Sequence, residues 1–258
     1  MTRVWTFLAV LRKFLIELKR YPLNTLSGVV TMYLVFLLLF AGARYAQGLG
    51  VNLFGERLEA LVVGYLVWTF ALIAYSEVSW ELMREAQQGT LEQLYMCPLG
   101  FRFVSFAWIA SSFLTSLILV AALLGLMMAT TGRVLSLPLG SLLPLVLLTL
   151  APVYGVGLAM AGLALVYKRI QALFQVLQFG FAFLVAVPPE GWWAKALPLS
   201  LGTRLIGRVM AEGERLTTLP LTDVLILAGT AVFYLSLGIV VFLVLERVAR
   251  DRGLLAHH

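Results

Sequence analysis

The sequence predicts an all-α polytopic membrane protein, and three observations predict it. Hydrophobic residues make up 61% of the 258-residue chain and charged residues 12%, with a mean hydropathy of +0.96. A soluble domain carries about 25% charged residues, so too little polar surface remains to cover a water-soluble globule of this length. Six segments are apolar over the length that crosses a bilayer, about 20 residues for a hydrocarbon core of roughly 30 Å. Between two of them lies a polar island, residues 76–100, SEVSWELMREAQQGTLEQLYMCPLG. It holds four of the thirteen acidic residues, Glu77, Glu81, Glu85 and Glu92.

Residues 1–22 read as a separate interfacial unit, followed by a six-span domain over 23–258. Val4, Phe7, Leu8, Leu11, Phe14, Leu15 and Leu18 recur at steps of three and four and form one apolar stripe. Arg12, Lys13, Glu17, Lys19 and Arg20 lie away from it. Such a helix suits the headgroup layer of a membrane, and Pro22 breaks it before the first span.

The spans are expected at 23–43, 58–75, 103–129, 142–166, 172–187 and 221–245. The fifth is short and ends at Pro188-Pro189. Between it and the sixth, residues 188–220 contain Trp192 and Trp193, which suit a membrane–water boundary, and an apolar stretch from Leu197 to Met210. This segment is expected to form a re-entrant or interfacial helical hairpin.

Twelve of the nineteen Lys and Arg residues fall on one side: five in residues 1–20, then Arg84, Arg102, Lys168, Arg169, Arg247, Arg250 and Arg252. Positive charge marks the cytoplasm, so both termini and the polar island are expected inside. Basic residues at span ends, rather than clustered on one soluble face, argue against nucleic-acid binding. The N-terminus lacks the uninterrupted apolar core and cleavage site of a signal peptide.

The sequence offers little chemistry. Cys97 is alone, so neither an internal disulfide nor a multi-cysteine metal site is expected. The interiors of the expected spans carry no Asp, Glu, Lys, Arg or His, and there is no HExxH and no GxxxxGK[ST] phosphate loop. No catalytic residue, metal site or bound cofactor is expected. If the protein moves a substrate, the energy comes from elsewhere.

The polar residues within the spans are uncharged. Gln171, Gln175 and Gln178 share one face of the fifth span, and Ser105, Ser112 and Ser116, beside Ser111 and Thr115, form a stripe on the third. Hydrogen bonding between packed helices is one role for such residues. A substrate path through Gln171, Gln175, Gln178, Ser112 and Ser116 is the other. In the fourth span Gly155, Gly157, Ala159, Ala161 and Gly162 permit close helix contact, while Pro144 and Pro152 permit kinks.

Within the island, Glu77, Glu81 and Glu85 share a helical face, so the second span can continue as a helix until Gly89 caps it. Thr90-Leu91-Glu92-Gln93 fits a capping box, and the short helix it starts, 91–96, ends at Pro98. REAQQGTLEQLYMCPLG resembles the GTLE…P stretch of type-2 ABC transporter permeases, the membrane subunits of ABC exporters. The order of elements and Pro198 within LPLS of the hairpin agree with that family along essentially the whole chain.

The resemblance implies a coupling helix between spans two and three that meets a separate ATPase subunit. By position the contact would involve Glu81, Arg84, Glu85, Gly89, Thr90, Leu91, Glu92, Gln93 and Leu94. It implies a second permease chain, the same or a relative, and ATP with Mg²⁺ bound by the ATPase rather than by this chain. It also implies the inner membrane of a prokaryote and export of amphipathic or lipophilic cargo, such as a drug or lipid. Alternatives are export of a lipid-linked glycan and, from another class, a passive channel or membrane scaffold without an ATPase.

Overall fold

The computed structural model describes residues 2–49, 58–87, 101–132, 135–167 and 170–251. Among them the chain is helical, with no strand. The helices are α1 (Thr2–Arg20), α2 (Pro22–Gly48), α3 (Leu58–Gln87), α4 (Phe101–Thr131), α5 (Leu139–Val166), α6 (Gln171–Ala186), α7 (Trp192–Lys195), α8 (Ser200–Ala211) and α9 (Leu221–Asp251), with a 3₁₀ turn at Leu216–Thr218. Five of them, α2, α3, α4, α5 and α9, are long and apolar enough to cross a membrane.

The fifth expected span is a shorter helix. At 16 residues, α6 is about 24 Å long, less than a full hydrocarbon core. Pro188 and Pro189 lack the amide hydrogens that a further turn would need, and the helix stops at Ala186. Elsewhere helices outrun the apolar stretches that mark them. The second expected span continues as α3 for twelve residues past Tyr75, and the sixth continues as α9 to Asp251.

Three closely packed helices form the centre. α5 lies along α9 on one side and α3 on the other, and α3 also meets α2, α4, α6 and α8. Glycine sets these distances. A Cβ on Gly238 of α9 would overlap the backbone of Gly155 on α5, and one on Gly155 would overlap the Tyr234 carbonyl. Farther along the same seam, a Cβ on Gly162 would come 3.1 Å from the Phe242 Cα. On the opposite face of α5, Gly157 lies against the backbone of Tyr75 on α3, at 3.1 Å from its carbonyl by the same measure. Close backbone approach through small residues is the usual way apolar helices gain contact where lipid offers equally apolar surroundings.

The segment between α6 and α9 folds back on this centre. Leu201, Leu205, Ile206, Val209 and Met210 bury one face of α8. Gly202 rests on Thr149, ten residues into α5, so the contact lies about 15 Å along that helix. Leu199, which precedes α8, is buried with φ +70, a conformation that costs a non-glycine residue on the order of 1–3 kcal/mol. Packing of its side chain holds it there. Hydrogen bonds from the Ser136 amide to the Met210 carbonyl (2.9 Å) and from the Leu216 amide to Ser141 Oγ (3.1 Å) tie the hairpin to the entry of α5.

α1 packs on α4 and α2. Phe7, Leu11, Phe14 and Leu18 are its half-buried face, while Trp5, Leu8, Leu15 and Ile16 are exposed. The stripe expected from the sequence is therefore divided between protein and surroundings.

The glycine seam can be tested by adding one methyl group. Gly238→Ala should lower stability by about 1–3 kcal/mol through overpacking. Gly180→Ala on α6, where a Cβ meets nothing within 4 Å, should be neutral or stabilising by up to about 1 kcal/mol through helix propensity. Thermal unfolding of the two variants in one detergent compares them.

Candidate functional site

α3 carries Thr69, Ile73, Ser76, Glu77 and Trp80 at steps of four, three, one and three, which places them on one helical face. That face looks into a half-open cavity of about 710 Å³ lined by α1, α2, α3 and α4. From α1 come Phe14, Glu17 and Leu18, with Tyr21 just beyond its end. α2 adds Asn24, Thr25, Gly28, Val29 and Met32. The α4 wall is Thr115, Leu119, Val120 and Leu123. The volume lies in the usual range for small-molecule sites, roughly 300–1,000 Å³.

The polar groups of the wall differ in what they offer. Ser76 Oγ donates to the Leu72 carbonyl (2.7 Å) and Thr115 Oγ1 to the Ser111 carbonyl (2.7 Å), so both hydroxyl hydrogens are occupied within their own helices. Thr69 is buried, with its hydroxyl beside the Tyr65 phenol. Tyr65, one turn earlier, directs its own hydroxyl to the Met32 carbonyl. Two carboxylates, Glu17 and Glu77, complete the wall, both half-buried. Among the described lining residues there is no Lys, Arg or His.

Glu77 lies on the helical continuation of the second span that the sequence predicted, where α3 packs on α4, and it accepts a hydrogen bond from Ser112 Oγ. Charge also reaches the ends of the last span. Asp223 is buried near the start of α9 and pairs with Lys195 at 2.6 Å, and buried Glu246 pairs with Arg250 at 2.7 Å. Acidic side chains thus enter the helix bundle near span ends, each with a neighbouring donor, as buried charge requires.

The expected substrate-path residues do not converge. Ser112 and Ser116 are buried on α4, where Ser116 Oγ donates to the Ser112 carbonyl at 2.6 Å. Gln171 and Gln175 are exposed on α6 and Gln178 is half-buried. α6 is held to α3 by its other face, where Phe174 and Phe181 meet the Tyr75 ring at centroid distances of 5.3 and 5.2 Å. None of these five path residues lines the cavity. Of the expected ATPase contact, Glu81, Arg84 and Glu85 belong to the last turns of α3. Gly89, Thr90, Leu91, Glu92, Gln93 and Leu94, with the short helix expected over 91–96, lie outside the described residues.

The cavity was not anticipated. Its signal in the sequence was the polar spacing of Thr69, Ser76 and Glu77 on one span. Comparison with protein-family models, with curated proteins and with solved structures gives no match to this chain.

The Glu77–Ser112 bond separates the two α4 serines. Ser112→Ala should cost about 1.5–3 kcal/mol, the range for a hydrogen bond to a charged group. Ser116→Ala, which removes only a bond within its own helix, should cost less than about 1 kcal/mol. Thermal or denaturant unfolding in detergent measures both.

Proposed function

We propose that this chain is the membrane subunit of an ATP-driven exporter of the type-2 ABC permease class. In this reading α6 and its flanks complete a sixth crossing, α7 and α8 form the hairpin before the last span, and both termini face the cytoplasm. A second permease chain and a separate ATPase complete the transporter. The cargo class is amphipathic or lipophilic.

One observation carries the reading. α3 is a single helix that forms a cavity wall through Thr69 and Glu77 and continues to Gln87, within the polar island. A 30-residue helix spans about 45 Å, so a force applied at its polar end reaches the cavity without passing through a flexible joint. Nucleotide binding by a partner can favour one conformation of this chain only through contacts that differ between states. In this reading the partner meets the polar island, where the sequence Thr90-Leu91-Glu92-Gln93 fits a capping box and Glu92 is one of four acidic residues. The sequence has no phosphate-loop motif of its own, so in this reading hydrolysis belongs to that partner.

Charge reversal within the island tests this proposal. In a reconstituted complex with the ATPase, Glu92→Lys should reduce substrate-stimulated hydrolysis by at least about tenfold, within the usual span of coupling free energies. Helix content by circular dichroism should be unchanged. Normal stimulated hydrolysis by this variant would sink the proposal.

A further inference from the structure

We propose that the cavity between α1, α2, α3 and α4 binds a lipophilic ammonium, a protonated amine on an aromatic or aliphatic body. This deepens the exporter reading, on which it rests for transport of the bound molecule, by naming the charge of the cargo. Three features of the wall point the same way. Carboxylates enter from two separate helices, Glu17 on α1 and Glu77 on α3. Among the described lining residues there is no cationic side chain. Thr69 adds a hydroxyl to the same wall: it is 1% exposed, lines the cavity, and lies beside the Tyr65 phenol, whose own hydrogen goes to the Met32 carbonyl.

A threonine oxygen has two lone pairs, so beside the Tyr65 phenol it can still accept from a further donor. An ammonium N–H would satisfy its oxygen while the positive charge faces the carboxylates. The remainder of the wall suits the rest of such a molecule. Phe14 and Trp80 present aromatic rings, which attract a cation through their faces and pack against its apolar body, while the Tyr21 ring already has the Arg20 guanidinium 5.9 Å from its centroid. Ile73, Leu119 and Leu123 extend the apolar part. An anionic amphiphile of the same shape would meet two like charges there, so the site selects by sign as well as by hydrophobicity.

α1 and α2 also supply a route. α2 is packed along one edge only, with Leu23, Leu26, Val30, Leu34 and Leu38 exposed on the remainder. α1 presents Trp5, Leu8, Leu15 and Ile16 to its surroundings. A molecule partitioned into the membrane beside these two helices reaches Glu17 and Tyr21 before Thr69.

Three probes of nearly one shape test the site: 9-(aminomethyl)anthracene, 9-anthracenemethanol and 9-anthracenecarboxylate. Their fluorescence polarisation is measured against the full chain in lipid nanodiscs, with empty nanodiscs subtracted. The ammonium should bind at least about tenfold more tightly than the alcohol, and the carboxylate more weakly still. Glu17→Gln and Glu77→Gln should each weaken the ammonium about tenfold while leaving the alcohol unchanged, and Thr69→Val should weaken it several-fold. Glu190→Gln, in the connection before α7, should have no effect.

Glu17 lies on a surface helix, so its substitution keeps the test valid if a change at Glu77 prevents folding. Equal binding of the three probes, or an unchanged ammonium affinity in Glu17→Gln, overturns the site and leaves the ATPase proposal standing. Because the assay contains no ATPase, the converse is separable too. A chain that selects the ammonium but captures no ATPase retains the site and overturns the exporter reading.

Discussion

The rest of the structure depends on the backbone contact between Gly155 of α5 and Gly238 of α9. In a bilayer, one helix gains no hydrophobic advantage by leaving lipid for another helix, so association relies on close packing and hydrogen bonds. Dispersion between atom pairs is weak and falls steeply with separation. Gly155 and Gly238 remove the side chains that would hold the two backbones apart, and Gly162 continues the seam against Phe242 and Leu245. With α9 fixed along one side of α5, Gly157 seats Tyr75 of α3 on another, and Thr149 receives Gly202 of α8. One helix with small residues on several faces thus sets the positions of three others. The cavity stands on this frame, since α3 supplies the wall that carries Thr69 and Glu77.

Much of the frame was legible because local chemistry dictates it. Pro22 and Pro188-Pro189 mark helix limits, and a helix boundary falls at both places. The expected role of Gly155, Gly157 and Gly162 in close contact comes from the same logic, since only small residues let backbones meet. Periodicity was less complete as a guide. It shows which residues share a face, but says nothing about what that face will meet. Gln171, Gln175 and Gln178 do share a face of α6, which turns largely away from the helices of the same chain. The α1 stripe likewise proved to have two destinations, α4 on one side and the surroundings on the other.

Glu77 illustrates what hydropathy conceals. At the end of an apolar run a window average cannot distinguish a carboxylate facing water from one facing a neighbouring helix. The distinction lies in a residue 35 positions away, Ser112, whose hydroxyl meets it across the α3–α4 interface. The same holds for Asp223, whose partner Lys195 belongs to the hairpin before its own helix. Such pairs exist only once the helices have chosen their neighbours. That choice was made by glycines that carry no polar signal at all.

The cavity also sits on an asymmetry in packing. Its inner wall, α3, belongs to the tightly seated centre, whereas its outer wall, α1 and α2, is packed along one edge and exposed elsewhere. Well-packed interiors transmit displacement with little compression, so α3 moves as one body from Thr69 to Gln87. In the exporter reading, a shift of its polar end would change the distance between Glu77 and α2, which is packed along one edge. The Ser112–Glu77 bond ties α4 to α3, and α1 rests on α4, so both carboxylates would move with α3. The cavity would then change shape mainly on its α2 side, at Asn24, Thr25 and Met32, and the affinity for a bound molecule would change with it.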